Sequence, residues 1–238
     1  MNILVLGHKG MLGHMLVKYL TNQTHTIQTI NHRFPSEEFK NEVLNFSGDY
    51  IINAIGAIPQ KTSEFLVNTE LPIWLDQNSK CRIIHPGTDC EMDNDQYGIS
   101  KKQARDYIVY SGINTKILRS SIIGPELRNK KNLLEWFLNS SNQCNGYTKA
   151  MWNGITTYEW AKQCHRLIDC WDVYETETIV SGNCVSKFDL LQTIASVFNK
   201  KINIIPIDNG INKCLISTLQ TSDIKQQLQE LKEYYYDN

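Results

Sequence analysis

The chain opens Met1-Asn2-Ile3-Leu4-Val5-Leu6-Gly7-His8-Lys9-Gly10-Met11-Leu12-Gly13, an apolar run that ends on a glycine and is followed by two more, three residues apart. Beyond it, Met11, Leu12, Met15, Leu16, Tyr19 and Leu20 recur at helical spacing, so the segment reads as strand, tight loop and helix. No other feature restricts the fold as much. Gly7 permits the turn, Gly10 lets backbone amides approach phosphate oxygens, and Gly13 lets the helix pack close to the strand. The positive end of the helix then faces an anion. These are the requirements of a dinucleotide pyrophosphate, with Gly7, Lys9, Gly10, Met11, Leu12 and Gly13 as the contacting residues.

The rest of the chain continues the alternation. Residues 25 to 30 alternate as a strand, 36 to 46 suit a short capped helix, and 50 to 55 form an apolar strand. A helical pattern over 66 to 75, a strand over 82 to 85, a helix over 100 to 110 and a strand over 115 to 123 follow. The order predicts an α/β fold, a Rossmann-type doubly wound parallel sheet covered by helices. Past Gly124 the texture is less regular, with helices over 132 to 140, 157 to 170, 186 to 198 and 222 to 236 and a short strand over 177 to 181. Residues 1 to 124 therefore read as the core, and 125 to 238 mostly as a small C-terminal lobe with some strands returning to the core.

Composition narrows the class. The 238 residues are 41% hydrophobic and 21% charged with a net charge of −1, which gives no field to hold nucleic acid or an anionic membrane. The first apolar run is only Ile3 to Leu6, and no stretch approaches the roughly 18–20 residues that cross a bilayer, so the expectation is a cytoplasmic protein. Seven cysteines without a C-x-x-C pair predict reduced thiols, no disulfide framework and no metal site.

Cofactor choice turns on the end of the second strand, where a carboxylate would grip the adenosine 2′-hydroxyl. Here Ile30-Asn31-His32-Arg33 offers none and places a guanidinium two residues on. NADPH is favoured, with NADH as the alternative, and Arg33 is either the 2′-phosphate partner or an ordinary exposed cation. Further on, Tyr97-Gly98-Ile99-Ser100-Lys101 puts a phenol and an amine one turn apart on one helix face. A neighbouring ammonium is expected to lower the phenol pKa and fit it for proton transfer. Thr88, after the strand at 82 to 85, can hydrogen-bond the same carbonyl oxygen as Tyr97.

These residues together resemble the extended short-chain dehydrogenase/reductases, in particular the sugar-nucleotide reductases typified by dTDP-4-dehydrorhamnose reductase. Gly7 to Gly13 matches that family's cofactor loop, Asn53-Ala54-Ile55-Gly56 the turn after its fourth strand, Gly87-Thr88-Asp89 its Ser-Thr-Asp, and Tyr97 to Lys101 its catalytic pair. Ile117 to Leu127 resembles the segment that closes around cofactor and substrate, and Gly146 to Thr157 the sugar-nucleotide-binding stretch. The resemblance implies hydride delivery from NAD(P)H to C4 of a nucleotide-linked 4-keto-6-deoxyhexose. It makes Tyr97 the acid, Lys101 its partner and Thr88 the carbonyl donor. Ala54, Ile55, Gly56, Tyr97 and Lys101 join the cofactor contacts, while Thr88 and Asp89 of the core and Trp152 and Asn153 of the C-terminal lobe meet the substrate. The wording Gly-Pro-Glu-Leu and Trp-Asn-Gly-Ile-Thr-Thr is most similar to enzymes of UDP-2-acetamido-2,6-dideoxyhexoses. A bifunctional epimerase/reductase and a non-catalytic binding subunit are the other members the family admits.

Two departures stand out. Relatives carry a much longer loop between the active-site threonine and tyrosine than residues 90 to 96 here, and their Gly-Glu after the lysine is replaced by Ala104-Arg105. Several residues keep two readings. Trp152 is a stacking surface or core; Asn153 binds a sugar hydroxyl or shapes a turn; Arg119 meets a phosphate or a structural carboxylate. His85 and His165 read as packing or surface residues. Tyr234-Tyr235-Tyr236 either docks on the body or joins two copies as a homodimer.

Overall fold

The computed structural model describes residues 1–128 and 130–237. The chain divides into two compact units, Met1–Arg119 with Ala161–Thr178, and Ser120–Trp160 with Ile179–Asn238. In the first unit β1 (Asn2–Leu6), α1 (Met11–Thr21), β2 (Thr26–Thr29), α2 (Glu37–Leu44), β3 (Tyr50–Asn53), α3 (Val67–Asn78), β4 (Arg82–Gly87), α4 (Gln96–Ser111) and β5 (Thr115–Arg119) alternate. Beyond them come β6 (Ile122–Ile123), α5 (Leu133–Asn139), β7 (Gln143–Tyr147), β8 (Met151–Trp152), β9 (Ile155–Thr156) and α6 (Thr157–Asp169). The chain closes with β10 (Glu177–Ser181), β11 (Val185–Ser186), α7 (Lys187–Val197), β12 (Asn203–Ile207), β13 (Leu219–Gln220) and α8 (Ile224–Tyr235).

Seven strands make one sheet in the order β13-β10-β5-β4-β3-β1-β2, flanked by helices. The pairings of β1 with β2 and β3, of β3 with β4 and of β4 with β5 are all parallel. From β1 the chain winds outward to β2, then returns to β3 on the opposite side. The carboxyl ends of β1 and β3, at this reversal, are where a doubly wound sheet leaves a crevice. Strands this apolar form because both faces are covered: Leu4, Leu6, Ile51 and Ile83 pack with Phe39, Val43, Leu71 and Leu75 from α2 and α3 in one buried cluster.

Three sequence expectations change. The strand expected over 115 to 123 breaks after Arg119 into β5 and β6, because the Ser121 carbonyl is taken by the Ile155 amide at 2.9 Å. A parallel pair, β7 with β12, was not foreseen. Its members carry Gly146 and Pro206, facing each other in register, and both residues weaken a strand signal. The turn Asn53 to Gly56 follows the third strand of this chain rather than a fourth.

Candidate active site

The glycine loop is set by backbone contact. Gly7 adopts φ +77°, and a Cβ there would stand 2.7 Å from the Ala54 carbonyl oxygen. A Cβ on Gly13 would stand 2.1 Å from the Gly7 oxygen. The loop is thus clamped between the turn after β3 and the first turn of α1, helped by bonds from the Gly10 amide to the Gly7 carbonyl at 2.8 Å and from the Ala54 amide to the Leu6 carbonyl at 3.0 Å. Gly10 differs. Its φ is −82°, and a Cβ would meet only the Gly7 oxygen, at 3.2 Å, and the Ala54 oxygen, at 3.9 Å. It is the N-cap of α1 and adds no capping side chain, so Met11 and Leu12 begin a helix whose N-terminus is formed by backbone alone. At the end of β2, Lys9 donates to Asn31 Oδ1 at 2.6 Å, and Arg33 is exposed.

The turn after β3 is tied to α4. Asn68 of α3 bonds both backbone groups of Ala57, at 2.8 and 2.9 Å, and its amide reaches Ser100 Oγ at 3.2 Å. Ser100 in turn donates to the Tyr97 carbonyl at 2.7 Å. Ile55 and Gly56 therefore share a scaffold with the first turn of the tyrosine helix.

Thr88 follows β4 and starts a 3-10 turn, Asp89–Met92. Its hydroxyl donates to Asp89 Oδ1 at 3.1 Å and accepts from the Cys90 amide at 3.3 Å. The short connection closes because Asp95 caps α4 through the Gly98 amide at 2.7 Å, and because Gly98 lacks a Cβ that would lie 2.3 Å from the Cys90 carbonyl oxygen. This places the Tyr97 phenol beside the Thr88 side chain, close enough for Thr88 to act on it. Lys101, one turn on, donates to the Pro86 carbonyl at 2.8 Å and lies 3.3 Å from His85 Nε2.

One expectation about this pair is corrected. The Tyr97 phenol is pushed up, not lowered: burial raises it most, Cys90, Asp89 and Glu91 add to the rise, and the Thr88 side chain opposes it. The Lys101 amine does not offset this rise, because it is directed at Pro86 and His85 instead. Tyr97 stays protonated at neutral pH, the form that donates a proton. Burial lowers Lys101 to about 8, against a smaller pull from Glu91.

No family model matches the chain, and no curated protein matches it significantly in sequence. Solved structures match it along its whole length. The dTDP-4-dehydrorhamnose reductase of Bacillus anthracis, in complex with NADP, gives a TM-score of 0.74 over 97% of this chain and 98% of that one, at 14% identity. The Yersinia enterocolitica dTDP-4-dehydrorhamnose reductase gives 0.72 over 98% and 99%, at 13% identity. The Thermotoga maritima UDP-glucose 4-epimerase, with UDP-glucose, gives 0.75 over 100% and 99%, at 13% identity. The chain shares the fold of these solved structures.

Within this fold Thr88 is held by Glu91, which the sequence analysis did not single out, and by Arg119. Glu91 is buried and accepts the Thr88 amide at 2.9 Å, while Arg119 Nε donates to the Thr88 carbonyl at 2.9 Å and lies 3.2 Å from Glu91 Oε2. Arg119 also lies 3.6 Å from Glu177. Of its two readings, the structural carboxylate is the one observed. Gly87 is the consequence, since a Cβ there would be 2.8 Å from that of Arg119. The pattern Thr88-x-x-Glu91 was a visible signal, being the spacing of a capping box.

In the second unit the expected ligand residues are engaged elsewhere. Trp152 is 3% exposed and packs over Gly154, whose added Cβ would lie 2.3 Å from the indole, so it is no stacking platform. Asn153, 6% exposed, spends both ends of its amide on the Leu215 backbone, each at 2.8 Å. Next to Leu215, Cys214 forms a disulfide with Cys184, correcting the expectation of seven thiols. A Cα separation of 6.0 Å across 30 residues of sequence is within bridging reach. The tyrosine tail docks on its own unit, with Tyr234 stacked on Tyr158 and Tyr236 donating to Glu135 at 2.8 Å. Among the described residues no cluster of His, Cys, Asp and Glu could hold a metal ion, and no helix is long and apolar enough to cross a membrane.

Proposed function

We propose that the chain is a cytoplasmic, NADPH-dependent sugar-nucleotide reductase that reduces the C4 keto group of a dTDP- or UDP-linked 4-keto-6-deoxyhexose. The observation that carries this reading is the placing of Tyr97 beside Thr88 at the end of β4, with Lys101 one turn along the same helix. The similar B. anthracis reductase binds NADP and the similar T. maritima epimerase binds UDP-glucose, in keeping with a dinucleotide cofactor and a nucleotide-sugar substrate here.

The residues present fit a dinucleotide. Gly7 and Gly13 are required by the loop's own packing, whereas Gly10 is required by neither φ nor a severe clash. Close approach of a ligand phosphate to its backbone accounts for it. Lys9, held at the end of β2 by Asn31, and the exposed Arg33 supply positive charge without a carboxylate on Asn31, which favours the 2′-phosphate of NADPH over NADH. A bound dihydronicotinamide supplies the hydride. Thr88 and Tyr97 orient the carbonyl oxygen through hydroxyl donors, and the protonated Tyr97 gives its proton to the alkoxide as charge develops. Lys101 supplies the positive charge that stabilises the resulting phenolate. Residues 125 to 238 carry the rest of substrate recognition.

The test follows NADPH absorbance with UDP- and dTDP-linked 4-keto-6-deoxyhexoses. Wild type should turn over one class, and Tyr97→Phe should lose about 10²–10⁴-fold in kcat. Measurable NADPH binding without turnover of either class would overturn the enzyme reading in favour of a binding subunit, which the short loop before Tyr97 also suits. Arg33→Ala should weaken NADPH about tenfold and leave NADH unchanged. Equal effects on both cofactors would remove the NADPH assignment.

A further inference from the structure

Behind Lys101 lie two buried residues that the proposed chemistry does not use. Asn53 ends β3 and His85 stands beside it in β4. The Ile55 amide donates to Asn53 Oδ1 at 3.1 Å. That fixes the amide, so Nδ2, a donor, is the atom 3.2 Å from His85 Nδ1. Nδ1 must therefore accept, and a neutral imidazole then carries its proton on Nε2. This nitrogen is 3.3 Å from Lys101 Nζ. An ammonium there would set donor against donor. An uncharged amine accepts from Nε2–H with its lone pair and still donates to the Pro86 carbonyl at 2.8 Å.

We propose that Asn53 and His85 are positioning residues that make Lys101 a titrating base rather than a fixed cation, the Nε2–H tautomer of His85 stabilising the uncharged amine in the ligand-free protein. For its use in catalysis the inference rests on the reductase reading above. Burial acts in the same direction, lowering Lys101 to about 8 and holding His85 well below its usual range, the latter with help from the Lys101 charge. The groups acting on Lys101 are His85 from β4 and Glu91 from the turn after it. Glu91 favours the ammonium, but its carboxylate is already paired with Arg119. The charge that steadies the Tyr97 phenolate is then taken from a solvent proton, and the basic limb of the rate profile belongs to Lys101.

The experiment is NMR on ligand-free protein carrying ¹⁵N-histidine and ¹³C-lysine, with wild type beside His85→Gln and Asn53→Asp. Wild type should show His85 as a neutral Nε2–H ring between about pH 5 and pH 8, and a Lys101 midpoint at about 8 or below. In H85Q the amide oxygen accepts from the ammonium, and in N53D a carboxylate draws the imidazole proton to Nδ1. Both should raise the Lys101 midpoint by on the order of one unit, and the basic limb of kcat should move with it. A wild-type His85 proton on Nδ1, a Lys101 midpoint near 10.5, or midpoints that no variant moves would each overturn the proposal. Should N53D fail to fold, H85Q and the wild-type spectra decide. Spectra as expected in a protein with no turnover would instead sink the reductase reading and leave this inference standing.

Discussion

The corner around Thr88 and Tyr97 and the stretch from Met151 to Thr157 were both singled out by their resemblance to one family, yet the structure treats them differently. At the Thr88 corner the backbone is satisfied by other residues: Glu91 takes the amide and Arg119 the carbonyl. That leaves the Thr88 hydroxyl only a local cap, on Asp89 and Cys90, beside the Tyr97 phenol. In the second stretch the distinctive side chains do the structural work themselves, Trp152 by packing and Asn153 by clamping Leu215. A side chain whose polar groups are already spent has little left for a ligand. Similar wording in two sequences therefore carries a chemical role only where neighbours relieve the residue of its scaffolding duty.

Substitutions can break this contrast. The largest effect should come from Arg119→Met, which strands the buried Glu91. A loss of ~3–5 kcal/mol in denaturant unfolding is expected, and a loss below ~1 kcal/mol would mean that charge does not hold the Thr88 corner. Gly13→Ala forces a Cβ into the Gly7 carbonyl and should cost at least ~1–3 kcal/mol. Gly10→Ala should leave the melting temperature nearly unchanged and weaken NADPH instead; equal destabilisation by both would show that Gly10, too, serves packing. Asn153→Ala removes two buried hydrogen bonds and should destabilise by ~1–3 kcal/mol with the substrate KM intact. A raised KM with normal melting would return Asn153 to the substrate site. The smallest effect, of opposite sign, belongs to Lys101→Met. Because the folded state holds Lys101 at about 8 against 10.5 in a free chain, the unfolded chain binds more protons between those values, and wild-type stability rises with pH across them. The burial penalty, on the order of 3 kcal/mol for that shift, is full below about pH 8; loss of the Pro86 hydrogen bond offsets part of it, so the variant should be more stable there by ~1–2 kcal/mol, and the gain should fade towards pH 10.5.

How much was legible in the sequence follows from the range over which each signal acts. The glycine loop, the capped helix that starts at Ser36, and the Tyr97–Lys101 spacing each lie within a few residues along the chain, so local rules found them. The Asn53–His85–Lys101 chain joins three elements, and hydrogen-bond direction at its centre is set by an amide two residues from Asn53. No periodicity encodes that. The Tyr97 pKa was misjudged for a related reason: burial, which raises it most, is set by tertiary packing, and the Lys101 amine that spacing placed on the same face is held by Pro86 and His85 of another element. The Cys184–Cys214 disulfide was hidden because no motif marks a pair separated by 30 residues, and β7 with β12 because glycine and proline dilute both strands.

The first unit also has a history written into its connectivity. Its core is not closed by residues 1 to 119 alone. The Tyr50 hydroxyl donates to the Ile168 carbonyl, Arg82 lies over the Trp171 ring, and Lys116 donates to the Trp171 and Tyr174 carbonyls. Every one of these partners is made only after Ser120–Trp160, which belongs to the other unit, has been translated. On the ribosome, therefore, the first unit cannot mature ahead of its neighbour: its last contacts wait in the exit tunnel until some forty residues of the second unit have already emerged.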